Sequence, residues 1–99
     1  MQTCVIVSTL ETSTFPIIIA LAKQEEGLNL ILLSDSVFLL NDSTKTDFFD
    51  ELEKIGTKLY ITIEDMEKRN CQLKPNLQIL SYESLVEMLL SEQTSSINL

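Results

Sequence analysis

Four short apolar runs, each followed by a segment with helical character, constrain the fold of this chain more than any other feature of its sequence. The runs span residues 3–8, 28–33, 59–63 and 77–80. The first run is continuously apolar at its centre rather than alternating, which is typical of a strand covered on both faces in a parallel sheet. The resulting order, β-α-β-α-β-α-β-α, predicts the α/β class: three α/β/α layers around a mainly parallel sheet of four or five strands, joined by right-handed crossovers.

The first predicted helix is apolar on nearly every side. It covers residues 15–26, with Pro16 in its first turn, where the missing N–H is not needed. We expect a side chain of Ser13 or Thr14 to cap its beginning and Gly27 to end it in a left-handed conformation. Because only one stripe of this helix can face the sheet, the rest of its apolar surface requires a second covering element.

The other predicted helices are marked by spacing and by their terminal residues. Residues 46–55 have helical apolar spacing, residues 64–69 place acids first and bases last, and Ser81 caps the final helix. Residues 37–40 form a short apolar piece that we interpret as a helical turn, and residues 41–45 resemble a loop. These segments connect the predicted strands without a linker or a repeat.

The length of 99 residues predicts one domain, spanning residues 1–99. Its polar tail, residues 93–99, is expected either to add an edge strand or to stay disordered. The net charge of −8, from 7 Lys and Arg against 15 Asp and Glu, makes nucleic acid and an acidic membrane surface poor direct partners. It favours solubility or a basic partner protein. No apolar run approaches the ~18 residues of a membrane span and no basic leader is present, so we expect a cytoplasmic protein.

Missing residue types exclude most standard catalytic sites. The sequence has no His, which excludes Ser-His-Asp and Cys-His catalysis and zinc sites that need imidazole. Its two glycines, Gly27 and Gly56, can form neither a phosphate-binding loop nor a dinucleotide-binding fingerprint. We therefore expect no cofactor, no metal centre and no catalytic set in this chain acting alone.

Polar side chains follow the carboxyl ends of the predicted strands, where open α/β sheets bind ligands. Ser34 and Asp35 follow the second strand, and Glu64 and Asp65 follow the third. Asp35 with Glu64 or Asp65 offers hard oxygen ligands for a divalent cation. The simpler interpretation, which we favour, is that these residues cap helices.

The two cysteines have different predicted settings. Cys4 lies inside the first strand, where burial raises the pKa of a thiol and makes it unreactive. Cys71 follows a helix end, whose negative pole disfavours a thiolate, whereas the nearby Lys68 and Arg69 favour one. Cys71 is therefore a candidate for a reactive or persulfide-carrying residue, with a plain surface thiol as the alternative. A disulfide with Cys4 is not expected in a reducing compartment.

The surplus apolar surface of the first helix predicts a contact between subunits. The expected contact residues come from that helix and from the apolar piece after the second strand: Phe15, Ile18, Ile19, Ala22, Phe38 and Leu39. The alternative is that this helix lies between two elements of its own domain.

The second half of the chain resembles the DsrE/DsrF/DsrH superfamily, and its DsrH/TusB branch most closely. Residues 58–70 read as a strand, the pair Glu64-Asp65, and a helix that ends at Lys68-Arg69-Asn70. Residues 79–86 then give a strand end, a tyrosine and an apolar helix. The first half agrees in the order of its elements. Asn70 stands where the branch has glycine, and the chain lacks the tryptophan that some members carry near the C-terminus.

The resemblance implies a small α/β/α domain that assembles into oligomers within sulfur relays, in which persulfide sulfur passes between cysteines. Such relays feed 2-thiouridine formation in tRNA or sulfur oxidation. In the DsrE/TusD branch an active cysteine ends the third strand, and aligning residues 68–70 places Thr62 near that position. A hydroxyl cannot carry a persulfide.

The resemblance therefore implies a non-catalytic subunit, in a homo-oligomer or with DsrE/DsrF-like (TusD/TusC-like) partners. Two alternatives stay open. One is a sulfur carrier that uses Cys71, and the other is an oligomeric module that binds a small molecule or a metal at the strand ends.

Overall fold

The computed structural model describes residues 2–25, 27–69, 77–91 and 93–99. These residues form a parallel sheet flanked by helices, which confirms the predicted α/β class. The elements, in chain order, are β1 (Gln2–Val7), α1 (Phe15–Gln24), β2 (Asn29–Leu32), 3-10 helices at Ser34–Asn41 and Ser43–Lys45, α2 (Thr46–Ile55), β3 (Lys58–Thr62), α3 (Ile63–Arg69), β4 (Leu77–Leu80), α4 (Tyr82–Leu90) and β5 (Thr94–Asn98).

The sheet has the strand order β4-β3-β2-β1-β5, and every neighbouring pair is parallel. The polar tail forms β5, which pairs with the outer side of β1. In the register of the central strands, Val7 lies beside Leu32, which in turn lies beside Ile61. Thr62 lies beside Leu80 of β4. Because all strands run in one direction, their carboxyl ends meet at a single edge of the sheet.

The larger part of the core lies between one face of the sheet and α1, α2 and the first 3-10 helix. Alternate residues of the central strands, such as Val5, Leu30 and Leu59, point to this side and are fully buried. The opposite face of the sheet is packed against α4, whose Leu85 contacts Ile31. Continuous apolar strands are therefore explained by burial on both faces, as the sequence pattern predicts.

Local details differ from the sequence-based prediction in three places. α1 ends at Gln24 with Glu25 as its C-cap, so Gly27, although left-handed with a φ of 79°, lies beyond the helix end and does not close it. Thr14 occupies the cap position of α1, but its side chain makes no capping hydrogen bond, because the residue itself has a helical conformation. Residues 41–45 are not simply a loop: Asn41 ends the first 3-10 helix and Ser43–Lys45 form the second. The predicted cap of α4 is present, since Ser81 Oγ accepts a hydrogen bond from Ser84 N at 3.1 Å.

Among the described residues, no helix combines the length and the apolar character that a membrane crossing needs.

Candidate functional site

The carboxyl edge of the sheet contains a cleft of about 450 Å³, which we call the strand-end cleft. It brings together the ends of β2 and β3 with the beginnings of α3 and α4. Three of the four polar residues predicted at the strand ends line it, and the fourth, Asp35, lies beside it. The lining residues are Leu33, Ser34, Thr62, Glu64, Asp65, Lys68 and Tyr82.

Thr62 is the last residue of β3, and its side chain forms the cap of α3. It is 1% exposed, and its Oγ1 accepts a hydrogen bond from Asp65 N at 3.1 Å. The spacing Thr-x-x-Asp is that of a helix-capping sequence, in which the hydroxyl satisfies a main-chain N–H of the first turn. The hydroxyl of Thr62 therefore stabilises the beginning of α3.

Asp65 connects α3 to the turn after β2. Its Oδ2 accepts a hydrogen bond from Ser34 N at 3.1 Å, and its Oδ1 accepts one from Arg69 Nη1 at 2.9 Å. Ser34 has a φ of 53°, a left-handed conformation that is unusual for a residue other than glycine. The carboxylate of Asp65 thus holds the turn in the conformation that lines the cleft.

Arg69 contacts this site, although the sequence analysis gave it no role there. Its guanidinium bonds Asp65, lies 3.6 Å from Asp35 Oδ1, and has its central carbon 5.9 Å from the centre of the Phe38 ring. The spacing of four residues between Asp65 and Arg69 was the available signal. Asp35 and Asp65 therefore both contact Arg69 of the same chain. One alternative from the sequence analysis had assigned these acids to a divalent cation.

Glu64 is turned towards α4. Its two carboxylate oxygens lie 3.2 and 3.1 Å from Tyr82 N, the first amide of that helix. A carboxylate at the positive end of a helix is favourable electrostatically and satisfies a free N–H. In the described part of the chain, no three His, Cys, Asp or Glu residues are grouped to hold a metal ion.

Cys4 is fully buried between the sheet and α4. Burial raises the pKa of its thiol, and the weak hydrogen bond from Asn29 Nδ2, 3.8 Å from Sγ, offsets this only in part. A protonated thiol without access to solvent is a poor nucleophile. Cys71, the other candidate, lies outside the described residues.

The six predicted contact residues separate into two groups. Ile18, Ala22 and Leu39 are buried in the core of the chain itself, so they are not on its surface. Phe15 and Ile19 are half-buried, and Phe38 is 43% exposed. The reason is geometric: in a helix that is apolar all round, the sequence does not tell which stripe meets the sheet.

The exposed part of this surface includes Ile17, which is 51% exposed, and a groove between α1 and α2. We call it the α1–α2 groove; its volume is about 550 Å³. The rings of Phe15 and Phe48 are stacked in it, with centroids 3.8 Å apart and planes 5° apart. At its rim, Lys23 Nζ lies 3.6 Å from Glu51 Oε1.

Comparisons with known proteins agree with this architecture. The sequence model of the family described as "DsrH like protein" matches residues 7–95. The fold is similar to the crystal structure of the ychN protein from E. coli, with a TM-score of 0.75, 21% identity and complete coverage of both chains. It is also similar to MTH1491, a protein of unknown function from Methanobacterium thermoautotrophicum, with a TM-score of 0.80, 13% identity, and coverage of 99% of this chain and 98% of that one. None of the curated proteins matches this chain significantly in sequence.

Proposed function

Because this chain belongs to the DsrH-like family, we propose that it is a non-catalytic subunit of a cytoplasmic sulfur-relay complex. In such a complex persulfide sulfur passes between cysteines, as in 2-thiouridine formation in tRNA or in sulfur oxidation. The chain contributes a surface that positions a cysteine of a DsrE/DsrF-like subunit. Further copies of this chain are the alternative partner.

The observation that carries the proposal is the role of Thr62. The end of β3 is where the related catalytic branch has its cysteine, and here a buried hydroxyl caps α3. The surrounding acids are engaged with main-chain amides and with Arg69. In the described residues of the strand-end cleft there is no thiol or imidazole that could accept or transfer sulfur.

The exposed apolar surface of α1 supports the docking part of the proposal. Ile17 exposes half of its side chain, and the α1–α2 groove opens beside the same helix. Exposed apolar area of this kind is characteristic of protein contacts. Docking through α1 leaves the strand-end cleft facing a different side of the molecule, since the cleft is built by β2, β3, α3 and α4.

Co-purification from the native host tests this proposal. We expect the chain to be recovered with a cysteine-bearing DsrE/DsrF-like subunit, identified from its sequence by mass spectrometry. Ile17→Glu places a charge on the exposed part of α1 and is expected to release that subunit. Gln24→Glu adds the same charge on the same helix and should retain it. A monomer that recovers no such subunit would contradict the proposal.

The carrier alternative predicts a different result for the isolated chain. Incubation with a persulfide donor, followed by intact mass measurement, would then show a gain of one sulfur atom that is lost in Cys71→Ser. We expect no gain. This outcome separates a docking subunit from a sulfur carrier, whichever partner is found.

The size of the strand-end cleft is the observation that favours the small-molecule or metal-binding alternative. A ligand that binds only the native state raises the melting temperature. A thermal-shift series with nucleotides and divalent ions tests it. Stabilisation that is removed by Lys68→Ala, at the cleft, would support that alternative, and an unchanged melting temperature would reject it.

A further inference from the structure

We propose that the α1–α2 groove receives an apolar helix from a different protein, and that this helix carries Lys or Arg at the positions flanking its apolar stripe. The inference rests on the proposed function in one respect, that the chain acts by docking. It adds the chemical character of the partner and excludes a second copy of this chain as the occupant.

The floor of the groove is suited to an apolar helix. Phe15 and Phe48 form a parallel stacked pair, and Ile19 lies one helical turn along α1 from Phe15. Stacked rings offer a large contact area and lose little conformational freedom when a partner covers them. A channel between two helices accepts the side chains of a third helix at positions one turn apart.

The rim of the groove has two acids, Asp47 and Glu51, and one base, Lys23, which leaves one negative charge in excess. Lys23 is paired with Glu51, so the positive charge of the rim is already matched by a carboxylate. Asp47, on the same rim, has no ion-pair partner in the part of the chain that the structure describes. A cation that flanks the apolar stripe of an incoming helix would therefore meet Asp47, whereas an incoming carboxylate would be repelled.

The charge of the whole chain points to the same occupant. At a net charge of −8, two copies repel each other as they approach. A second copy would also bring its own acidic rim to the contact. A basic partner is attracted at long range and is matched at the rim, so the groove and the overall charge select one class of partner.

A pair of synthetic peptides tests the inference on the full chain. Both peptides form helices of about four turns and carry the same leucine stripe; one has Lys at the flanking positions and the other has Glu. Binding is followed by amide chemical shifts of the ¹⁵N-labelled protein. We expect the Lys peptide to bind about tenfold more tightly at low salt, with shifts at Phe15, Ile19 and Phe48. The difference should shrink as salt screens the charges.

Two charge reversals on α2 provide the matched comparison. Asp47→Lys changes the rim of the groove, and Glu53→Lys makes the same change of net charge on an exposed residue of α2 outside it. We expect Asp47→Lys to abolish the preference for the Lys peptide and Glu53→Lys to preserve most of it. We expect Asp47→Asn to give an intermediate preference for the Lys peptide, and this variant replaces Asp47→Lys in the comparison if Asp47→Lys does not fold.

Three results would overturn the inference. They are equal binding or no binding of the two peptides, an effect of Glu53→Lys as strong as that of Asp47→Lys, and self-association of the chain through the groove in sedimentation at low salt. None of these results decides the outcome of the co-purification experiment, because a sulfur-relay subunit could still be recovered through another surface. Failure of co-purification with intact peptide selectivity would instead reject the sulfur-relay role and retain the groove.

Discussion

Replacement of Thr62 by valine tests whether the hydroxyl at the end of β3 is a structural cap. Valine keeps the buried side chain close to its present shape but removes the oxygen that accepts from Asp65 N at 3.1 Å. Loss of a capping hydroxyl costs about 0.5–2 kcal/mol. Asp65 is only partly buried, so water can satisfy part of the freed amide, and we expect a loss of about 1 kcal/mol. In a domain of this size that lowers the melting temperature by about 4–8 °C.

Urea unfolding measures the loss of stability, and amide hydrogen exchange at Asp65 reports on the hydrogen bond itself. Thr62→Ser is the matched control, because it keeps the hydroxyl and loses only a buried methyl group. Both variants should lose stability, but only Thr62→Val should accelerate exchange at Asp65. Unchanged stability and unchanged exchange in Thr62→Val would refute the reasoning, and so would equally fast exchange in Thr62→Ser.

Three further predictions follow from burial and hydrogen bonding. Leu85→Ala should lower the free energy of unfolding, measured in urea, by about 2–5 kcal/mol because Leu85 is buried against the sheet. Leu90→Ala is the control: the residue is 78% exposed, so the change should be less than about 0.5 kcal/mol. Equal losses in the two variants would contradict the packing of α4. In a Cys71→Ser background, iodoacetamide at about pH 8 should modify Cys4 only after denaturation, since burial raises the pKa of that thiol and blocks access. Detection of modified Cys4 in the native protein by mass spectrometry would contradict this prediction. Hydrogen bonds from Thr44 lower the pKa of Asp42, so the carboxylate stabilises the fold above its ordinary pKa and this contribution disappears as the pH falls through the lowered value. An NMR titration should show that pKa rising in Thr44→Ala, and an unmoved pKa would exclude the side-chain bond.

The order of strands and helices could be predicted because it depends on local patterns. Runs such as residues 28–33 are apolar at every position except Asn29, and that composition is typical of strands buried on both faces. Ser81, with its hydroxyl at a helix start, likewise signals its structure within a few residues. Both conclusions needed no knowledge of distant contacts.

The details that could not be predicted depend on distant contacts. The 3-10 helix at Ser34–Asn41 is anchored by Ser36, whose buried hydroxyl donates to Val7 O at 2.6 Å and also lies 2.7 Å from Leu33 O. A residue 29 positions away fixes this turn, so local propensity alone could not identify it. Arg69 is a similar case, because its position against Phe38 depends on how α3 packs beside the turn after β2.

The candidate site could be located but not interpreted from the sequence. The strand ends are predicted to meet, and Ser34, Thr62, Glu64 and Asp65 do line one cleft. Whether an acid binds a ligand or a main-chain amide depends on interatomic distances, which the spacing of residues in the sequence does not give. The buried and exposed stripes of α1 could not be separated for the same reason, since Ile17 and Ile18 are identical in type and differ only in the face they occupy.

The most direct test of the central claim is the location of sulfur in the assembled complex. The complex is isolated from the native host, treated with a persulfide donor and analysed by native mass spectrometry, and the mass of each released subunit is recorded. The account predicts that a cysteine-bearing partner gains sulfur while this chain keeps its unmodified mass. Two results would contradict the account: sulfur bound to this chain, or isolation of this chain from cells as a monomer without a partner.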